Sequence, residues 1–171
     1  MAAYLITGRG GSGKSTICNA LQARGYPAYD GDSIPHLSRW EDAHTGKPVS
    51  VDTAGFIDYS RVSWNWNGTV LQDFLAQHDP VFLCGSASNQ LTLHALFNKV
   101  FVLDIDEATH ARRLRARESD YGKHPAMEQS LIARHQAFVQ EAVRAGALAV
   151  NAAQPLDNTV DEILEYIGYG A

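Results

Sequence analysis

Residues 8–15 read Gly8-Arg9-Gly10-Gly11-Ser12-Gly13-Lys14-Ser15 and fit the pattern G-x-x-x-x-G-K-[ST]. The apolar segment Tyr4-Leu5-Ile6-Thr7, typical of a buried strand, precedes them, and a helical pattern follows from Gly13 to Arg24. A strand before and a helix after are the context in which this pattern binds phosphate. Its glycines let successive backbone N–H groups point at one anion, and the helix N-terminus adds a positive field. The segment therefore predicts a phosphate-binding loop, called the phosphate loop below.

The residues of the phosphate loop are expected to have different tasks toward a bound nucleotide. Lys14 is expected to reach the β- and γ-phosphates as a catalytic cation, and the Ser15 hydroxyl is expected to bind Mg²⁺. The expected ATP contacts of the loop are Gly8, Gly10, Gly11, Ser12, Gly13, Lys14, Ser15 and Thr16.

Along the rest of the chain, short apolar runs alternate with helical patterns, which is typical of an α/β protein. Later apolar runs near residues 27–29, 81–84, 100–103 and 147–150 read as further strands. Five such strands separated by helices predict a parallel sheet with helices on both faces, in a single domain over residues 1–171. Residues 33–67 show no clean period, Asp106 is expected to cap a helix, and one long helix is expected over residues 125–145.

Composition and charge narrow the classes of partner. The chain has 14 Lys+Arg against 19 Asp+Glu and a formal charge of −5, so we do not expect nucleic acid as a partner. No apolar run approaches the ~20 residues of a membrane span, and the N-terminus lacks the features of a signal peptide. We therefore expect a cytoplasmic protein without a membrane partner, in which Cys18 and Cys84 are buried, reduced thiols.

The carboxylates Asp30 and Asp32 follow the second strand as Asp30-Gly31-Asp32. Switch GTPases carry an Asn/Thr-Lys-x-Asp motif, which is absent, and motor ATPases end a strand in adjacent acids, whereas the third strand here ends Leu83-Cys84-Gly85. A hydroxyl nucleophile needs a carboxylate within reach to take its proton, and this pair can supply one. The alternative is a polar turn with Gly31 at positive φ.

With these motifs the chain resembles the small P-loop kinases, namely shikimate kinase, gluconate kinase and the nucleoside monophosphate kinases. The resemblance extends over nearly the whole chain in element order. It implies a three-layer P-loop kinase fold with a small lid, and ATP and Mg²⁺ as cofactors. Gluconate kinases carry D-G-D after the second strand, so the resemblance places Asp30 near magnesium and makes Asp32 the base that binds the acceptor hydroxyl.

Residues 33–67 are interpreted as an insertion that binds the acceptor. The stretch from Gly46-Lys47-Pro48 to Asp58-Tyr59-Ser60-Arg61-Val62-Ser63-Trp64 resembles the G-x-P-L…D-x-x-R-x-x-W segment of gluconate kinases. Arg39 and Arg61 are expected to contact the acceptor, while the tryptophans are expected to pack. By resemblance to shikimate kinases, Gly85 and Asn89 after the third strand also bind substrate, although Asn89 is equally suited to cap the next helix.

Arg113, Leu114 and Arg117 fit the R-L-x-x-R segment that enters the mobile lid of these kinases. The resemblance implies that Arg113 stacks on adenine and that Arg117 closes onto the phosphates as a catalytic cation. Residues 115–125, called the lid segment below, would form the lid, and Gln154 after the fifth strand would border the adenine. The alternative is a solvated basic helix face.

The expected activity is transfer of the γ-phosphate of Mg·ATP to a hydroxyl of a small metabolite (a sugar acid, a sugar or a nucleoside) by a monomer or homodimer. A nucleoside monophosphate kinase is the first alternative, because Arg39 and Arg61 could hold an acceptor phosphate. Against it, the chain lacks a D-G-F-P-R turn, and a D-x-D pair suits a neutral hydroxyl better than a phosphate. The second alternative is a regulatory or RNA-maturation ATPase, with water as the acceptor.

Overall fold

The computed structural model describes residues 2–169 and contains a central sheet of five parallel strands. The inner strands of the sheet are buried, mostly apolar segments, because a parallel sheet is covered on both faces, and its two edge strands are partly exposed. The predicted five-stranded parallel sheet is confirmed. Its strands are β1 (Ala3–Thr7), β2 (Ala28–Asp30), β5 (Val81–Cys84), β6 (Lys99–Asp104) and β7 (Leu148–Asn151). They lie side by side in the order β2-β5-β1-β6-β7.

The helices cover both faces of the sheet, as the alternation of side chains along β1 requires. Tyr4 and Ile6 pack against α1 (Lys14–Ala23) and α7 (Leu156–Tyr166). Ala3 and Leu5 face the opposite core, which contains residues of α2 (Gly68–Gln77) and α6 (His135–Arg144). The other α-helices are α3 (Gln90–Leu93), α4 (Glu107–Arg115) and α5 (Pro125–Ala133). Within residues 2–169, no helix has the length and apolar character that a membrane crossing needs.

The strand order brings the functional motifs to one edge of the sheet. β5 lies between β1 and β2, so the phosphate loop after β1 and Asp30 at the end of β2 flank Gly85. Ligands bind beyond the carboxyl ends of strands in such sheets. Cys18 and Cys84 are buried free thiols, as expected from the sequence.

Residues 33–67 show no clean period in the sequence, but their backbone is not irregular throughout. They contain an antiparallel pair of strands, β3 (Ser38–Asp42) and β4 (Val62–Trp66), in which Trp40 lies directly opposite Trp64. This pair is called the hairpin below. Its strands are only partly buried and mix charged, polar and aromatic residues, so they lack the apolar run of a core strand. Nineteen residues, 43–61, also separate the two strands, which is too many for a tight-turn signal.

The helix expected over residues 125–145 is divided into α5 and α6 at Arg134, whose φ and ψ are −95° and −1°. The division starts α6 with the buried His135, whose Nε2 accepts a hydrogen bond from the Ile105 backbone N–H at 3.2 Å. The expected cap of α4 is confirmed, because Asp106 Oδ1 accepts from the Thr109 N–H at 2.8 Å.

Candidate active site

One large cleft of about 1310 Å³ opens at the carboxyl ends of the strands. The phosphate loop and Asp30 form part of its surface, together with the turn after β5, the hairpin, the lid segment and the loop after β7. All expected ATP contacts of the phosphate loop line this cleft except Gly8, whose carbonyl lies beneath the loop and accepts from Lys14. The cleft therefore joins motifs that are up to about 140 residues apart in sequence.

Lys14 begins α1 directly after Gly13, which has a φ of 109°. Its Nζ donates to the carbonyl oxygens of Gly8 at 2.7 Å and Arg9 at 3.2 Å. Burial lowers the pKa of Lys14 to about 8, although the carboxylates of Asp32 and Asp30 act in the opposite direction. The ammonium is thus still largely protonated at pH 7, and it stands where an anion would stabilise it.

Helix α4 and the lid segment pack directly on the glycines of the phosphate loop. A Cβ on Gly10 would lie 2.6 Å from Tyr121 Cε1, and a Cβ on Gly11 would lie 2.8 Å from Leu114 Cδ2. His110, on α4, donates from Nε2 to the Gly10 carbonyl at 2.7 Å. The glycines are therefore required by this packing, in addition to any approach of phosphate to the backbone.

We expect the free energy of unfolding to fall as the pH drops below about 6.5, the ordinary pKa of histidine. Burial lowers the pKa values of both His110 and His135, so below that pH the unfolded chain binds more protons than the native protein. Denaturant unfolding at pH 7.5 and 5.5 measures the loss. His110→Gln should reduce the pH dependence, whereas the control His44→Gln, at an exposed position, should not. An unchanged pH dependence in His110→Gln would contradict this account.

Asp30 ends β2 and holds the turn that follows it. Its Oδ1 accepts from the Asp32 N–H at 2.9 Å, and its Oδ2 accepts from the Ser15 hydroxyl at 3.3 Å. The two expected magnesium ligands, Ser15 and Asp30, are thus adjacent and both supply oxygen, the ligand atom that Mg²⁺ prefers. No group of three or more His, Cys, Asp or Glu side chains in residues 2–169 is arranged as a metal site. The residues fit a Mg²⁺ ion that takes further ligands from phosphate and water.

Asp32 stays exposed to the open cleft. Partial removal of its carboxylate from water, followed by the nearby charge of Asp30, raises the pKa of Asp32. The charge of Lys14 and an interaction with the Trp64 side chain act in the opposite direction. A carboxylate with a raised pKa is a stronger base, which suits proton removal from an acceptor hydroxyl.

The turn after β5 is shaped by Trp66, the buried last residue of the hairpin. A Cβ on Gly85 would lie 2.8 Å from Trp66 Cζ2, so only glycine fits beside the ring. Gly85 lines the cleft, but Asn89 does not. The Asn89 amide accepts from Trp66 N–H at 3.0 Å and donates to its carbonyl at 2.9 Å, and it makes no capping bond to α3. Asn89 thus holds the end of β4 in place.

The structure does not bring Arg39 and Arg61 to the cleft. Side chains alternate along β3, so the position of Trp40 in the cleft lining directs its neighbours to the other face. There Arg39 Nε donates to Glu41 Oε1 at 2.6 Å, with more than half of the arginine side chain exposed. Arg61 precedes β4 and is exposed. The tryptophans pack as expected, since Trp66 is buried and Trp40 lies 5.2 Å from Trp64, ring centre to ring centre. Trp40 and Trp64 also line the cleft.

The arginines of the R-L-x-x-R segment lie over the phosphate loop. Arg113 donates to the Ser12 carbonyl at 3.0 Å and to the Ala152 carbonyl at 2.7 Å, so it ties the loop to the turn after β7. The Arg117 guanidinium lies 5.4 Å from the centre of the Tyr121 ring. Both arginines line the cleft, as does Gln154, whose amide donates to Glu162 at 2.7 Å.

Sequence reasoning missed Arg9, Arg134, Phe138 and Tyr59, which line the hairpin side of the cleft. Arg9 lies 5.9 Å from the ring centres of both Tyr59 and Phe138. The available signal was an arginine at an open position of the G-x-x-x-x-G-K-[ST] pattern, in a loop whose other residues are glycine, serine and Lys14.

Comparison with known proteins gives one family and several structures of similar fold. A family model described as an AAA domain matches residues 5–134. A gluconokinase from Sinorhizobium meliloti is 24% identical with a TM-score of 0.56, over 96% of this chain and 90% of that chain. A shikimate kinase from Bacteroides thetaiotaomicron is 14% identical with a TM-score of 0.60, over 97% and 98%. A deoxyadenosine kinase from M. mycoides with bound dATP is 12% identical with a TM-score of 0.59, over 98% and 99%. No curated protein matches the sequence.

Proposed function

The chain belongs to the AAA domain family of P-loop NTPases and has the fold of the small P-loop kinases, and from this premise we propose that it is itself a kinase. The proposed reaction moves the γ-phosphate of ATP to a hydroxyl group of a small metabolite. The observation that carries the proposal is the position of Asp32, a carboxylate of raised pKa on the same cleft as Lys14 and Arg117, whose charges both act on it.

Each of these side chains has a task that its surroundings support. Asp32 would accept the proton of the acceptor hydroxyl as the oxygen attacks phosphorus. Lys14 and Arg117 would stabilise the negative charge on the transferring group, because both stand at the phosphate loop. Ser15 and Asp30 would hold Mg²⁺, which when bound would neutralise charge on the phosphate oxygens.

The nucleotide base is proposed to lie at the end of the cleft formed by Arg113, Ala152 and Gln154. Arg113 is held there by two backbone carbonyls, which presents the plane of its guanidinium in a fixed position. The deoxyadenosine kinase of similar fold contains dATP, which supports an adenine nucleotide as the phosphate donor.

Two other functions make different demands on the same cleft. A nucleoside monophosphate kinase needs cations for the acceptor phosphate, and Arg9 and Arg134 line the hairpin side. A regulatory or RNA-maturation ATPase needs only water as the acceptor. The position of Asp32 supports a hydroxyl acceptor over a phosphate acceptor, because a phosphate needs little help from a base.

The test is a panel of acceptors incubated with Mg·ATP, with phosphorylated products identified by mass spectrometry. The panel contains sugar acids, sugars, nucleosides and nucleoside monophosphates. We expect a phosphorylated alcohol that forms only with its acceptor present and is lost in Asp32→Asn. ATP hydrolysis that no acceptor changes would support the ATPase alternative, and transfer only to monophosphates would support the nucleotide kinase.

We also expect the lid segment, residues 115–125, to gain protection from hydrogen exchange when a non-hydrolysable ATP analogue binds. Arg117 and Tyr121 lie against Gly10, where bound phosphates would add attractive charge. Exchange in α2, no residue of which lines the cleft, serves as the internal reference. Unchanged exchange in the lid segment, with binding of the analogue demonstrated separately, would contradict a lid.

A further inference from the structure

Arg9 projects from the phosphate loop toward the hairpin and is enclosed there. Its Nε and Nη2 atoms are buried, and neither has a hydrogen-bond partner in residues 2–169. The guanidinium lies 5.9 Å from the ring centres of Tyr59 and Phe138, which flank it but accept no hydrogen bond from it. Buried polar atoms without partners cost free energy, so these two N–H groups are available to a ligand.

The surroundings of Arg9 provide no compensating negative charge. No carboxylate in the part of the chain that the structure describes forms an ion pair with it. Burial raises the pKa of Tyr59 strongly, so this phenol is neutral, and its hydroxyl lies 2.9 Å from that of Tyr121. The nearby charge of Arg134 adds to the positive potential and contributes, after burial, to a lowered pKa of Arg9. This corner of the cleft is therefore suited to an anion.

A continuous aromatic surface joins this corner to Asp32. Trp64 hydrogen-bonds to the Asp32 carboxylate and lies 5.2 Å from Trp40, ring centre to ring centre. Trp40 in turn lies 6.1 Å from Tyr59, over which Arg9 is placed. All five residues line the same cleft. The cleft thus has a carboxylate at one end of this aromatic surface and the unpaired Arg9 guanidinium at the other.

We propose that Arg9 binds an anionic group of the acceptor, a carboxylate or a phosphate, and thereby selects acidic acceptors over neutral ones. The inference rests on the proposed kinase function. In it the hydroxyl end of the acceptor lies at Asp32, and the anionic end lies at Arg9. Arg9 is thus a residue for specificity, and neither Arg39 on β3 nor Arg61, which precedes β4, has a part in holding the acceptor.

The test compares acidic hydroxyl acceptors with neutral counterparts: a sugar acid with its sugar, and a sugar monophosphate that keeps a free hydroxyl with the same sugar unphosphorylated. The wild-type protein should prefer one acidic member in kcat/KM. Arg9→Met should reduce kcat/KM for that member about 10- to 100-fold more than it reduces kcat/KM for the neutral counterpart, as expected for the loss of a hydrogen-bonded charge pair. The ratio of the two values cancels any effect of the substitution on ATP. Arg9→Lys should retain part of the preference, and Arg144→Met, at an exposed position on α6, should retain all of it.

A binding measurement separates failure of this inference from failure of the kinase proposal. Thermal shifts are recorded with each compound while an ATP analogue occupies the phosphate loop, so that anions cannot bind there. Stabilisation by a sugar acid or a monophosphate that Arg9→Met abolishes supports the anion site even if no phosphoryl transfer occurs, and it also distinguishes carboxylate from phosphate. Equal stabilisation of wild type and Arg9→Met, or transfer to neutral acceptors with undiminished kcat/KM, would overturn the inference and leave the kinase proposal intact.

Discussion

Replacing Lys14 by alanine is expected to reduce phosphoryl transfer about 10²- to 10³-fold while the protein remains folded. Within residues 2–169, Lys14 Nζ bonds to the carbonyls of Gly8 and Arg9 and forms no ion pair, so the substitution breaks none there. A single donor aimed at the charge that develops in a transition state is worth roughly 3–4 kcal/mol. Turnover with a confirmed acceptor measures the loss, and thermal unfolding reports whether the fold is retained.

Lys99→Ala is the matched control, because Lys99 is exposed at the start of β6 and far from the loop in the fold. A further readout uses the lowered pKa of Lys14. Because that pKa is about 8, the free protein loses the ammonium charge as the pH rises through 8. Affinity for an ATP analogue should fall over this range in the wild type and change less in Lys14→Ala. Turnover close to wild type in a folded Lys14→Ala protein would exclude the kinase proposal.

The central sheet could be predicted from sequence because each of its strands is a short apolar run with a recognisable end. A strand covered on both faces must be apolar throughout, and the chain contains five such runs between helical patterns. The hairpin could not be predicted in the same way. Its strands are partly exposed, and their pairing depends on contacts of Trp40 and Trp64 that the local pattern does not specify.

The contiguous motifs of the site could also be read from sequence, since the phosphate loop and Asp30-Gly31-Asp32 each carry their geometry within a few residues. The residues on the acceptor side of the cleft could not be identified from sequence in this way. The sequence predicts Arg39 and Arg61 as acceptor contacts because they are cations beside aromatic residues. Strand alternation, however, directs Arg39 away from the cleft. Arg9 could not be predicted as a site residue because the motif leaves its position open. Its enclosure by Tyr59 and Phe138 depends on elements about 50 and 129 residues further along the chain.

The two aspartates after β2 are expected to respond differently to replacement by asparagine. Asp32→Asn removes the proposed base and should lower turnover about 10²- to 10⁴-fold, with the affinity for ATP nearly unchanged, because the lost interaction belongs to the transition state. Asp30→Asn should instead raise the Mg²⁺ concentration needed for half-maximal rate, because Asp30 lies 3.3 Å from the Ser15 hydroxyl. Asp73→Asn, at an exposed position on α2, is the control for charge removal.

The measurement is a titration of each variant with magnesium and ATP against a confirmed acceptor, together with calorimetric binding of an ATP analogue at several Mg²⁺ concentrations. Binding in Asp30→Asn should depend more weakly on Mg²⁺, whereas binding in Asp32→Asn should match the wild type. Asparagine at 30 can still accept the hydrogen bond from the Asp32 N–H, so the turn itself should survive. Equal and mild effects of both substitutions would show that Asp30-Gly31-Asp32 serves only as a turn. The acceptor would then need no base, and a phosphate acceptor held by the arginines of the cleft would become the better explanation.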